Sequence, residues 1–370
     1  MQNRITKFAQ CVFFLVISSC SVNETVEPNV MALEFSHDKI LPTMSEYVDS
    51  VSYLVLKEND VNALGNINRL VIDNNLIYAG DYRLKKISVF SIDGEPKFVL
   101  DKQGRGPGEY LEIKGFSVLG KNLYVLDNFN HKVHIYDSFS GKFVKSLKLP
   151  AIFDDIEALD NGGFLLAYSP QKSEIGRSKN LRYRVVVADN KMQIINGYLS
   201  YQEQEQDAIS FQLNFTVHGD KILFASFHKD SYYIFERKDG RHLRTVSIQS
   251  KTSIPEDLRS DVKAVHGNYS HLFAVPYECK EYASFTYYYD EHAFGYLAVL
   301  NERKIVSNSE KSAKNNIIGV IGGCDDYFIG YIQSSSNYDM LVKYGFPKAD
   351  SLDEAAIHRD EPFLIRYHMK

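Results

Sequence analysis

Two stretches of the chain, 46 residues apart, carry nearly the same sequence. The first reads LIYAGD at 76–81 and KISVF at 86–90. The second reads LYVLD at 123–127 and KVHIY at 132–136. Asp81 aligns with Asp127 and Phe90 with Tyr136, and each copy ends in a turn containing Gly94 or Gly141. A repeat of this length, built from short apolar strands joined by polar turns, is the signature of a β-propeller blade.

Strand-like runs continue along the chain with no competing helical period. The first blade takes 67–72, 76–79, 86–90 and 97–100, preceded by a strand at 51–56. The second takes 116–119, 123–126, 133–136 and 143–147. The third takes 156–159, 164–168, 183–188 and 193–198; the fourth takes 211–217, 222–227, 232–237 and 243–248. A looser fifth is drawn from Ala264, 272–275, 283–289 and 295–300. The sixth is drawn from 317–321, 327–332, 340–344 and 363–368. Short helices are expected within 251–262 and at 351–357. Roughly 320 residues at about 50 per blade predict an all-β, six-bladed β-propeller of four-stranded antiparallel blades; seven blades also fit. The tail strand is expected beside 51–56, closing the ring, because an open ring exposes sheet edges. The propeller then spans 48–370 as one domain.

The N-terminus reads as a targeting segment. Arg4 and Lys7 precede an apolar run at 11–17 that is too short to span a bilayer, and Ile17-Ser18-Ser19-Cys20 follows. This order resembles the bacterial lipobox, which implies a signal peptide over 1–19, lipidation of Cys20, and a flexible tether over 20–47. Glu24 and Glu27 weakly resemble the acidic export signal of surface lipoproteins. Only Cys279 and Cys324 follow Cys20, enough for one disulfide or two buried thiols and too few for a structural zinc site. The formal net charge is −5, from 42 basic and 47 acidic residues without a basic stripe, so no nucleic-acid partner is expected. Twenty-five Tyr and 23 Phe against no Trp favour pleated, half-buried strands.

Residues 104–110 (GRGPGEY) with 123–136 (LYVLDNFNHKVHIY) resemble the NHL repeat. Together with the lipobox and the closing strand, the layout resembles the six-bladed propeller lipoproteins of Bacteroidetes, also described as NHL-like or TolB-like. The resemblance implies a fold and an outer-membrane lipoprotein, on the periplasmic or cell-surface side, more than an activity. Only the first two blades carry sharp motifs. Blade three has no Asp after 164–168, and blade five lacks the turn glycine.

The glycine-rich stretch at 104–108 lacks a P-loop ending and precedes a strand, so it reads as an inter-blade crossover. Arg105, Glu109 and Tyr110 are its candidate ligand contacts. Asp81 and Asp127 recur with the repeat and are expected to bind backbone N–H groups in the following turn. His131 is a further ligand-binding candidate, set three residues from His134 and on the opposite strand face. No histidine recurs at the repeat period, so no metal or cofactor is expected. The paired carboxylates Asp154-Asp155 and Asp325-Asp326 are expected in solvated turns. Tyr287 and Tyr289, in the aromatic patch of the fifth blade, are candidates for glycan or peptide contact, against core packing for part of the patch.

The expected function is a lipid-anchored envelope binding or scaffolding protein that recognises a protein, peptide or glycan at one mouth of the channel. The alternative is a metal-dependent lyase or hydrolase with its site in the channel. No catalytic residue is assigned.

Overall fold

The structure, a computed structural model, describes residues 29–35, 44–59, 61–169, 181–201, 213–225, 230–255, 258, 269–289, 291–307, 317–332, 334–343 and 345–370. Cys20, the signal peptide, Glu24, Glu27, Ala264 and half of 251–262 lie outside them.

Two strands, β1 (Asn29–Phe35) and β2 (Val48–Val55), precede the first blade. Blade 1 holds β3 (Arg69–Asp73), β4 (Leu76–Asp81), β5 (Lys86–Ser91) and β6 (Pro96–Leu100). Blade 2 holds β7 (Gly115–Leu119), β8 (Asn122–Asp127), β9 (Lys132–Asp137) and β10 (Phe143–Lys148). Blade 3 holds β11 (Asp155–Ala158), β12 (Phe164–Ala167), β13 (Tyr183–Ala188) and β14 (Ile194–Ser200). Blade 4 holds β15 (Phe215–His218), β16 (Lys221–Ala225), β17 (Ser231–Glu236) and β18 (His242–Ser250). In blade 5 the short pieces β19 (His271–Leu272) and β20 (Tyr277–Cys279) both pair with β21 (Tyr282–Tyr289), followed by β22 (His292–Val299) and β23 (Lys304–Ser307). Blade 6 is β24 (Val320–Gly323), β25 (Tyr327–Ile332), β26 (Phe363–Met369) and then β2. The molecule is a six-bladed β-propeller.

Ring closure follows the expected pairing. β2 runs antiparallel to β26, with Tyr53 opposite Ile365 and Val55 opposite Phe363. Residues 48–55 therefore supply the outer strand of the last blade, and the ring is closed by this pairing. The apolar core divides into six clusters, one at each junction between neighbouring blades. The Tyr78–Phe116–Tyr136 cluster joins blades 1 and 2, and the Leu54–Ile77–Ile329 cluster joins blades 6 and 1. Each blade buries both faces, which is why its central strands read as nearly continuous apolar runs. Gly80 marks the close approach of blades 1 and 2, because a Cβ there would collide with the Phe116 ring. Gly94 sits at φ 83 in the outer hairpin of blade 1, as its turn position predicts.

Three expectations change. Residues 29–35, expected as tether, form a fifth strand that pairs in parallel with β18, from Asn29–Arg244 to Phe35–Ser250. Its alternating Met31, Leu33 and Phe35 face the core, and Phe35 packs edge-on against Tyr287 at 5.3 Å and Tyr296 at 4.7 Å. Of residues 340–344, expected as a strand, 340–343 instead close helix α1 (Ser335–Lys343), and Tyr344 lies outside the described residues. Buried Tyr338 and Leu341, three apart, mark the helical period that the short apolar run disguised. Blade 5 has an outer strand, β23, which the missing turn glycine concealed; Arg303 takes the left-handed conformation instead, at φ 52. Helix α2 (Ser351–Ile357) forms where expected, with the Asp350 carboxylate accepting the Leu352 and Asp353 N–H groups at 2.9 Å each.

Ile365 is fully buried in the closing strand. Ile365→Ala is expected to cost about 2–5 kcal/mol, read as a lowered midpoint in urea denaturation. An unchanged midpoint would mean that closure contributes little to stability.

Candidate functional site

Within each regular blade the first strand lies innermost, beside the channel axis. The inter-blade crossovers and the turns after the second strands share one end of the channel, here the crossover face. The turns joining first to second strands lie on the opposite face.

The channel is spanned by a buried ionic cluster. Arg69, at the start of β3, is 3% exposed, and its Nη1 donates to Asp155 Oδ1 at 2.6 Å. Its Nη2 donates to Glu157. The other Asp155 oxygen accepts the Asn214 and Phe215 N–H groups, both at 2.9 Å. Ser117 donates to Glu157 Oε2 at 2.6 Å and accepts the Ala158 N–H. Burial alone would lower the Arg69 pKa, but Asp155 beside it holds it above the ordinary arginine value. The guanidinium also lies over the Phe116 ring, 5.6 Å from its centroid. Asp155 is thus a buried strut, not the solvated turn residue expected. Asp325 does fit that expectation, being largely exposed and 3.5 Å from His218 Nε2.

Below this cluster lies a cavity of about 240 Å³, with Arg69, Glu157 and Tyr277 deep within it and Asp73, Arg237 and Asp325 at its mouth on the opposite face. Cys324 lines it, and Cys279 is buried nearby. Both are free thiols, and burial pushes Cys279 up to about 12, far from the thiolate a nucleophile needs.

On the crossover face the predicted residues separate. Tyr110 is fully buried: its hydroxyl sits 2.9 Å from the Lys85 carbonyl and 3.0 Å from the Leu100 carbonyl, and it accepts the Lys102 N–H. It braces the crossover from inside and has no face left for a ligand. Glu109 turns inward, accepting the Gly106 N–H at 2.7 Å. Arg105 is exposed on the same loop. His131 is exposed in the next turn at φ 51, the conformation that Lys85 adopts at the matching place in blade 1. Tyr287 is a core residue packed on Phe35, because the fifth strand of blade 4 covers it; Tyr289 is half-buried at the end of β21. The structure therefore groups Arg105 with His131 on blades 1 and 2 and sets the tyrosines apart in blade 5.

The recurring aspartates act as turn anchors. Asp81 accepts the Gly65 and Asn66 N–H groups at 3.0 Å each and that of Leu84 at 2.9 Å. Asp127 accepts those of Leu111 at 2.9 Å and Asn130 at 3.1 Å. Buried His134 lies 3.4 Å from the same carboxylate. Burial would raise the Asp127 pKa, but the His134 ring and these N–H groups outweigh it and hold it below the ordinary carboxylate value. Among the described residues, no group of three or more His, Cys, Asp or Glu side chains is arranged to hold a metal ion.

These features define a propeller whose channel is crossed by a buried ionic cluster, with a cavity on one face and cross-braced loops on the other. The chain belongs to the family described as a domain of unknown function (DUF4934), which matches residues 29–360. Among solved structures, a Bacteroides fragilis chain named as an exported protein superposes with a TM-score of 0.73 at 18% identity, over 92% of this chain and 100% of that one. A Bacteroides vulgatus member of the DUF4221 family gives 0.46 at 11% identity, over 87% and 97%. The first likeness is one of fold. No curated protein matches the chain.

Two outcomes are expected. Arg69→Met leaves two buried carboxylates without their cation and should cost about 3–5 kcal/mol in urea denaturation, part of which Arg69→Met/Glu157→Gln recovers. Asp127→Asn should cost about 2 kcal/mol at neutral pH. Because the folded-state pKa of Asp127 is lowered, its contribution is present above the ordinary carboxylate value and disappears as pH falls through the lowered one. The gap between wild type and variant should therefore narrow in acid. A constant gap would contradict the anchor role of the charge.

Proposed function

We propose that this chain is an outer-membrane lipoprotein, anchored through Cys20, whose propeller acts as a binding or scaffolding module for a protein, peptide or glycan of the envelope. The observation that carries the binding role is the cross-bracing of the crossover-face loops in blades 1 and 2. Tyr110, Asp81 and Asp127 fix the loop backbones from within, while Arg105 and His131 remain exposed on them. Rigid loops carrying free side chains suit recognition, because little conformational entropy is lost on binding. The channel carboxylates support the same reading. Asp155 and Glu157 are each engaged by Arg69 and by backbone or hydroxyl donors, and so are fixed as structural groups.

The NHL-like character of 104–136 and the lipobox order at 11–20 support the envelope address. The exported-protein name of the Bacteroides fragilis structure agrees with it. Arg105 and His131 are the side chains proposed to meet the partner.

Cys20→Ser should move the chain from the membrane to the soluble fraction, and protease shaving of intact cells assigns the membrane face. A cross-linked pull-down from envelope extract, with the folded domain as bait, should retain a defined partner. Failure to retain any partner, or turnover of a substrate in a broad hydrolase and lyase screen, would overturn the binding role.

A further inference from the structure

The two echoing blades differ most where they meet solvent. The turn after the second strand carries Arg83 in blade 1 and Phe129 at the matching position in blade 2. Phe129 is 70% exposed, and its surroundings are fixed on both sides. Asp127 Oδ1 accepts the Asn130 N–H at 3.1 Å. The Asn128 side chain accepts the Phe153 N–H at 3.2 Å and donates to the Phe153 carbonyl at 2.8 Å. Glu112, from the preceding crossover, sets its carboxylate against the Asn128 and Phe129 N–H groups. A large aromatic side chain thus stands in water on a turn whose backbone is held by hydrogen bonds on both sides. Water-exposed apolar area of this kind is unfavourable until it is covered, and rigid aromatic side chains are the usual anchors of interfaces.

Phe129 is not isolated. Ile152, 44% exposed, stands on the crossover clamped to Asn128, and Leu84, 43% exposed, stands on the turn of blade 1. These turns and crossovers are tied into one surface: Gln103 Nε2 donates to the Leu84 carbonyl at 3.2 Å, and the Leu111 N–H donates to Asp127. The exposed charges on these loops and on the strand ends beside them are Arg83, Lys102, Arg105, Lys132 and Lys148, against Asp101 alone. Five cations to one anion is a local reversal on a chain whose net charge is −5. The half-buried groups do not reverse this, since Glu109, Glu112 and Asp154 are set against Lys85 and Lys114 and the surface stays net positive.

We propose that the crossover face of blades 1 and 2 is a docking surface for an acidic peptide segment of a partner protein, with Phe129 taking an apolar side chain of that segment and Arg83 and Arg105 pairing with its carboxylates. The proposal rests on the binding role above and names the partner class for the same face. Charge complementarity selects an acidic partner. The apolar anchors between the cations select a peptide over a nucleic acid, whose uniform backbone charge would also meet Asp101 and the acidic remainder of the chain.

The test is selection of random displayed short peptides on the purified full chain. Recovered peptides should combine Asp or Glu with apolar residues. Binding of a recovered peptide should weaken about tenfold or more in Phe129→Ala and in Arg83→Glu/Arg105→Glu, as loss of an interface anchor requires, and should weaken with added salt. All three side chains are exposed, so the variants should keep the wild-type thermal midpoint. Recovery without acidic bias, affinity retained in both variants, or equal competition by a single-stranded oligonucleotide would overturn the proposal. If Phe129→Ala still retains its envelope partner in the pull-down, this surface assignment falls and the binding role stands. If wild type retains none, the binding role itself falls.

Discussion

One guanidinium ties the middle of this ring together. Arg69 reaches from blade 1 to two carboxylates of blade 3, and those carboxylates pass the connection on. Asp155 holds the backbone where blade 4 begins, and Glu157 holds Ser117 of blade 2. Four innermost strands thus share one hydrogen-bonded cluster. Apolar packing joins each blade only to its neighbours, so the propeller could otherwise flex as a chain of wedges. A buried ion pair is not in itself a source of stability, because desolvation offsets much of the attraction. What the cluster contributes is registry, since Asp155 and Glu157 each meet Arg69 and a further donor in one arrangement of the blades.

Outside the cluster, the blade plan is maintained by short-range hydrogen bonding. The aspartate closing the second strand of blades 1 and 2 fastens both its own turn and the arriving crossover. Aromatic hydroxyls do similar work from the core: Tyr78 bonds the Ser138 carbonyl and Tyr136 the Gly108 carbonyl, each across a blade junction. The high tyrosine content of the chain is in part explained by this use, an apolar ring filling the junction and a polar tip satisfying a loop carbonyl.

The same division decides what was legible in the sequence. Blades 1 and 2, the turn role of Asp81 and Asp127 and helix α2 rest on local patterns or on the repeat and can be read from residues close together, whereas the partner of the last strand follows from the need to close the ring. The Arg69 cluster could not be, because its partners lie 86 and 88 residues away and a strand-initial aspartate looks like any turn aspartate. Tyr110 and Tyr287 were misplaced for a related reason. A tyrosine that closes a loop from within and one that reaches for a ligand have the same neighbours in sequence, and only the three carbonyl and N–H partners of Tyr110 tell them apart. β1 carried a period-two apolar signal, but it was short and lay where a tether was expected. Phe129 was legible only as part of the repeat motif; its exposure depends on clamps from two neighbouring crossovers.

The pairing of β2 with β26 also sets the order in which the molecule can be finished. The first strand of the ring, at 48–55, waits for a partner ending at Met369, nearly the whole chain later. Until that segment emerges, blade 6 has no third strand for β2 to join, and the ring stays open however well the earlier blades have formed. Such a long-range last contact is slow to make. A chain made from its N-terminus would therefore remain unclosed until residues 363–369 had emerged.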